Sequence, residues 1–282
     1  MTAKKTTAKK TIRKTTAKKA TTKKATMKKE NVSQEDMFKV FEEDHDASGF
    51  EDINNSTKSI PFIRILNDLS PQVKKTKPEY IPEAETGMMV NTVSEQVYES
   101  PLRVIIGKFE RYYIEWKPNR GSFVAAHLPE DIEGNHLGRK LVRNEKFQLI
   151  DSNNGNLFTD TYMYYVVLPE HMHEGVCLLS LSSSGIKEAK KLNRNLTSTI
   201  IPGTSKRALP YFMIWNLQAV LMTNDQGDWF GPKFTFDSFV TREQLDCIAK
   251  ERKELPNKTV ALKLLSDDRE DTGDAVPANT KF

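Results

Sequence analysis

Phe109, Arg111, Tyr113 and Lys117 occupy every second position from 109 to 117 except 115, which is Glu. In an extended strand residues two apart share a face, so the four stand together, with Lys108 and Arg120 beside them. Rings next to cations are what a single-stranded nucleic acid binds: bases stack on the rings and phosphates meet the charges. Tyr162, Tyr164 and Tyr165 supply three more phenols, and Trp215, Trp229 and Phe230 follow in a later aromatic stretch. Tyr164 and Trp215 join Phe109, Arg111, Tyr113, Lys117 and Arg120 in the expected interface. Any one aromatic on a barrel strand is core rather than platform by roughly two to one. Arg111 and Lys117 tip that balance, because a buried face does not carry two unpaired cations, although Glu115 can pair with one of them.

Further cations lie elsewhere. Lys187, Lys190, Lys191 and Arg194 stand at i, i+3, i+4 and i+7 of SSGIKEAKKLNRNLTS, one stripe of a helix. They are read as phosphate contacts, though an ordinary solvated face explains them equally well. The first 29 residues hold Lys4, Lys5, Lys9, Lys10, Arg13, Lys14, Lys18, Lys19, Lys23, Lys24, Lys28 and Lys29, and no acid. Without those twelve bases 30 remain against 38 acids, so the net charge of +4 hides a cationic arm on an anionic remainder. The Thr- and Ala-spaced repeats bury too little to fold, and their partner is a polyanion. An acidic segment follows, with nine acids over 30–52 and room for a short helix capped by Ser33. The chain ends in an acid-biased stretch, with Asp267, Asp268, Glu270 and Asp271 ahead of Phe282.

Signals for catalysis are poor. His171 and His173 could share a metal, but with no third ligand at diagnostic spacing they read as exposed loop histidines, and no metal or cofactor is expected. A phosphate loop, a dinucleotide fingerprint and a nucleophile elbow are all missing. Cys177 and Cys247 are far apart and form no disulfide framework. No apolar run approaches the ~18 residues that span a bilayer, and the basic N-terminus lacks the apolar middle of a secretory signal.

The elements that must position these residues are mostly strands. Period-two patterns mark 102–117, 146–151, 161–169, 175–181, 211–223 and 228–236. A helix separates the fourth from the fifth, and a second, capped by Thr241 and stopped by Pro256, covers 241–255. Little βαβ alternation is present, so the expected fold is mainly β, an OB-like β-barrel with one or two helices, flanked by disordered tails. The expected divisions are an arm at 1–29, an acidic linker at 30–60, a barrel at 61–240, a C-terminal helix within 241–265 and a tail at 266–282.

Residues 61–98, PFIRILNDLSPQVKKTKPEYIPEAETGMMVNTVSEQVY, resemble the opening segment of a group of bacteriophage proteins. The strand RVIIGKFERYYIEWKP and the unit CLLSLSSSGIKEAKKLNR are similar to theirs as well, so the resemblance covers most of 61–236. It implies a phage single-stranded DNA-binding protein of the OB type, working in replication or recombination in the host cytoplasm. It also implies a C-terminal tail that docks replication proteins. The Lys-rich arm looks like the tails of histone H1-type proteins and could add contacts to double-stranded DNA. The rival expectation is a virion or nucleoid-like structural protein whose arm neutralises packaged DNA.

Overall fold

The computed structural model describes residues 59–118, 121–225, 227–253 and 255. Expectations for the arm, for residues 30–58, for Arg120 and for Asp267, Asp268, Glu270, Asp271 and Phe282 lie outside the described residues.

Two long strands form the spine. β-Branched and aromatic residues dominate both Leu102–Trp116 and Leu157–Val167, the composition that suits a pleated, packed surface. They pair antiparallel from Ile105 opposite Val167 to Trp116 opposite Leu157. In chain order the strands are β1 (Ile63–Ile65), β2 (Met89–Asn91), β3 (Val97–Tyr98), β4 (Leu102–Trp116), β5 (Phe123–His127), β6 (Leu141–Arg143), β7 (Leu149–Asp151), β8 (Leu157–Val167), β9 (Val176–Ser182), β10 (Met213–Asn224) and β11 (Gly227–Phe239). Three helices accompany them: α1 (Pro129–Glu133), α2 (Gly185–Ser198) and α3 (Arg242–Lys253).

On the free edge of β4, β10 covers Leu102–Ile105 and β5 covers Tyr113–Trp116. On that of β8, β9 runs beside Thr161–Val167 and β7 beside Leu157 and Phe158. Hairpin partners β11 and β6 extend the two sides into an eight-stranded antiparallel sheet that curls as a half-barrel. A three-stranded sheet of β1, β2 and β3 is tied to β9 through a bridge between Phe62 and Leu178. The mainly β, barrel-like expectation therefore holds, with three helices among the described residues where one or two were expected. Strands β2, β3, β5 and β6 were not foreseen.

A bulge decides which side chains share a face. Between Ile106 and Lys108 the ladder to β8 slips, leaving Gly107 as the extra residue. Alternation inverts there, so even-numbered Val104 and Ile106 project from the same face as odd-numbered Phe109, Arg111 and Tyr113. The carbonyl of Gly107 accepts from Arg252 Nε of α3 at 3.1 Å. At one end of this face α2 packs Ala189, Leu192 and Leu196 over Val104, Ile106, Tyr164, Leu179 and Leu181. At the other end Ile132 of α1, with Leu141 and Leu149 of β6 and β7, packs on Tyr113 and Phe158. The opposite face buries Tyr112, Ile114, Trp116, Met163 and Tyr165, while Ile105 and Ile214 receive Ile248 of α3. A reciprocal cap starts α3: Gln244 N donates to Thr241 Oγ1 at 3.3 Å and Thr241 N to Gln244 Oε1 at 2.9 Å.

Candidate nucleic-acid interface

Between the part of the sheet covered by α2 and the part covered by α1, a strip stays at the surface. Phe109 is 40% exposed there, with Tyr162 and Arg111 half-buried beside it. The Phe109 ring meets Tyr162 edge-on at 5.3 Å and Tyr164 at a tilt at 5.1 Å. One flank of the strip is α2. There the Tyr164 hydroxyl donates to the Ala189 carbonyl at 3.1 Å and lies 2.9 Å from Asn193 Oδ1. Lys190 stands three residues before Asn193, hence on the same flank of the helix. Lys187, Lys190, Lys191 and Arg194 are all exposed, and only Lys191 has an acidic neighbour on the helix, Glu188 at 3.7 Å.

The other predicted strand residues are placed differently. Arg111 grips Asp160 through two hydrogen bonds, Nε to Oδ1 at 2.8 Å and Nη2 to Oδ2 at 2.9 Å. It also donates to Glu133 Oε1 at 2.9 Å and to the Tyr113 hydroxyl at 3.0 Å. The Asp160 bonds, outweighing an opposing desolvation, hold its pKa above the ordinary guanidinium value. Arg111 is thus a clamp joining β4, β8 and α1, not a cation waiting for phosphate. Tyr113 is only 8% exposed, its hydroxyl spent on Arg111 and its pKa raised chiefly by burial. Tyr164 and Trp215 lie in the main core and present no ring face to a base. Burial pushes the Tyr164 hydroxyl well above the phenol range. Lys117 is exposed but sits one residue beyond the end of β4, outside the face it was expected to share.

Glu115 pairs with neither Arg111 nor Lys117. Fully buried, it takes hydrogen bonds from Arg139, from Asn156 Nδ2 at 2.6 Å and from His127 Nε2 at 2.8 Å. Burial alone would raise its pKa, yet these three partners hold it below the ordinary carboxyl value. The network fastens the segment after α1 onto β4.

That segment carries an aromatic residue the sequence did not single out. Phe147, at the tip of the β6–β7 hairpin, is 79% exposed and has φ +58. Asn144 builds the turn. Its Oδ1 accepts from Lys146 N at 3.0 Å and Gln148 N at 2.9 Å, its carbonyl accepts from Phe147 N at 2.8 Å, and Arg143 Nη1 donates to the Phe147 carbonyl at 2.8 Å. A bulky residue in the left-handed region is strained, and glycine or asparagine is the usual occupant. Exposed Arg143 and Lys146 precede the ring closely in sequence, with Lys140 at the base of the same hairpin and one acid, Glu145, among them. The arrangement presents an exposed ring on a hairpin that also carries exposed cations, the two groups a single strand needs.

His171 precedes and His173 lies within a 3-10 turn (Met172–Glu174) between β8 and β9, and Glu174 at its end brings a carboxylate to them. The expected lack of a third ligand is corrected by that turn. Nearby Cys177 is buried, and desolvation, then the Glu174 charge, pushes its thiol up to about 12, so it stays protonated. Among the described residues no helix is long and apolar enough to cross a membrane.

The model of one family, the Pam3 phage gp34-like proteins, matches residues 27–259. The chain belongs to that phage protein family. The matched span begins after nearly all of the Lys-rich arm and ends before the acidic tail. No curated protein and no solved structure matches the chain.

Proposed function

We propose that this phage protein binds single-stranded DNA without catalysing a reaction, in replication or recombination within the host cell. The observation that carries the reading is Phe147, a ring held 79% exposed in a conformation its side chain disfavours. Strained residues of this kind gather at functional sites when the structure around them holds them in place, as the Asn144 hydrogen bonds do here. The ring stacks a base while Lys140, Arg143 and Lys146 take neighbouring phosphates. Phe109, Tyr162 and the α2 cations Lys187, Lys190, Lys191 and Arg194 form a second contact strip on the same sheet face. The arm adds affinity without specificity, to single strands and duplexes alike. Twelve cations engaged on a single strand would add ~8 to the log–log salt slope. The acidic tail, with Phe282 at its end, is the segment that would meet replication proteins.

Titration with oligothymidine, comparing the full chain with a chain beginning at residue 30, tests the reading. Retained binding at low salt, with a shallower salt slope, is the expected result; loss of all binding with the arm would overturn it. That second outcome belongs to a virion-associated structural role, in which the arm alone meets DNA and the body makes protein contacts. Leu221 at 60% and Phe236 at 44% exposure on the β10–β11 hairpin favour that role, since exposed apolar residues on an edge hairpin suit a protein neighbour.

A further inference from the structure

His171, His173 and Glu174 place three donor atoms within 4.8 Å of one another, on four consecutive residues of one tight turn. Glu174 N donates to the His171 carbonyl at 3.0 Å and Gly175 N to that of Met172 at 3.1 Å. Gly175, at φ +66, then turns the chain directly into β9. That conformation is open to glycine and costly for other residues, so the short turn depends on it. The two imidazole rings lie 6.1 Å apart between centroids. In a tetrahedral site with bonds of ~2.0–2.1 Å, ligand atoms stand ~3.3 Å apart. Side-chain rotation alone therefore closes the observed spread.

The surroundings are built as those of a metal ligand are. A metal-binding carboxylate is normally oriented by a hydrogen bond from behind. Asn91, buried on β2, donates Nδ2 to Glu174 Oε2. Its own amide cannot turn over, because Oδ1 accepts from Val93 N at 2.9 Å and Ser94 N at 3.2 Å. Tyr98 of β3 sets its ring edge-on to His171 at 5.0 Å. The Tyr98 side chain is 5% exposed, and its hydroxyl is buried beside the Glu174 carboxylate and Asn91. A cavity of about 390 Å³, lined in part by Tyr98, Arg103, Glu170 and His171, opens on the same side.

We infer that His171, His173 and Glu174 form a zinc site with one coordination position open toward that cavity. Two imidazoles and one carboxylate suit Zn²⁺ and disfavour the all-oxygen cages of Ca²⁺ and Mg²⁺. Three protein ligands plus an open position is the arrangement of sites that bind a water or a substrate group. The site is independent of the proposed DNA contacts, none of which lies on this turn.

Full-length, chelator-treated protein titrated with Co²⁺ and then Zn²⁺ tests this directly. One equivalent of Co²⁺ gives the visible ligand-field bands of a tetrahedral site, and one equivalent of Zn²⁺ removes them. His173→Ala and Glu174→Gln each lower Zn²⁺ affinity by ~100-fold or more, beyond the 10–100-fold seen for second-shell changes. His136→Ala, at an exposed histidine on another loop, changes nothing. Absence of a zinc-displaceable cobalt band would overturn the assignment. So would a band that survives in the His171→Ala/His173→Ala double variant with its circular dichroism intact.

Discussion

The β4 face and the β6–β7 hairpin both set aromatic side chains beside Arg and Lys, several on β4 and Phe147 alone on the hairpin, and use them in opposite ways. On β4 the aromatics turn inward and the cation is consumed: Tyr113 is buried and Arg111 is locked to Asp160 and Glu133. At the hairpin tip the ring turns outward, and the cations beside it are exposed. The difference comes from what lies above each segment. The β4 face is roofed by α1, by β6 and β7 and by α2, leaving Phe109, Tyr162 and the Arg111–Asp160 pair partly at the surface. Phe147, 79% exposed, is held by the hydrogen bonds of its own turn. An aromatic–cation pattern in a strand is therefore evidence of a packed and clamped sheet as readily as of a ligand platform. The same pattern on a turn is evidence of a contact.

If the β4 and β10 aromatics serve the core, removing one should damage the fold first. Trp215→Ala is expected to cost ~3–5 kcal/mol in unfolding free energy, as large-to-small core changes do. Urea denaturation followed by circular dichroism checks this. A loss below ~1 kcal/mol would move Trp215 out of the core and back among the ligand contacts.

A smaller effect tests the clamps themselves. Glu115 has its folded pKa below its ordinary 4.5, so its charged form stabilises the folded state. That contribution is complete above about pH 4.5 and is lost as the pH falls through the lower folded value. Glu115→Gln should cost ~1–3 kcal/mol at neutral pH by leaving Arg139 and Asn156 with weaker partners. The gap to the unmodified protein should narrow as the solution is acidified, and thermal melts at stepped pH values would reveal it. A pH-independent gap would mean that packing, not charge, accounts for the loss.

Much of this comparison could be read from the chain, and what could not has physical causes. Long alternating strands announced themselves: the segments read at 102–117, 161–169, 175–181, 211–223 and 228–236 correspond to β4, β8, β9, β10 and β11. The split of β4 into a Tyr112–Ile114–Trp116 face and a Phe109–Arg111–Tyr113 face also holds, because the bulge at Gly107 lies upstream of both. Short strands such as β3, with two residues, carry no period to detect. Which face α2 would cover is a tertiary matter that alternation does not encode, and so Tyr164 was misplaced. Phe147 falls within the segment read as a strand at 146–151, but only Leu149–Asp151 is strand; 146–148 belong to a turn without Gly or Pro that a single Asn side chain organises. Glu174 was adjacent to His173 throughout, but only the 3-10 turn brings its carboxylate round to both rings.

The most direct test of the account sets stability against affinity at Phe147. Glycine relieves the left-handed strain, so Phe147→Gly should leave the fold unchanged or stabilise it by up to ~1–2 kcal/mol. Loss of the stacking ring should weaken oligothymidine binding by ~1–3 kcal/mol, about 5- to 150-fold. Both quantities can be measured on one preparation, by denaturation and by fluorescence anisotropy at ~200 mM salt, where the arm contributes least. A variant as stable as the unmodified protein that binds single strands much more weakly is the predicted result. Equal affinity in the two proteins would contradict the claim that this hairpin is where the body meets DNA.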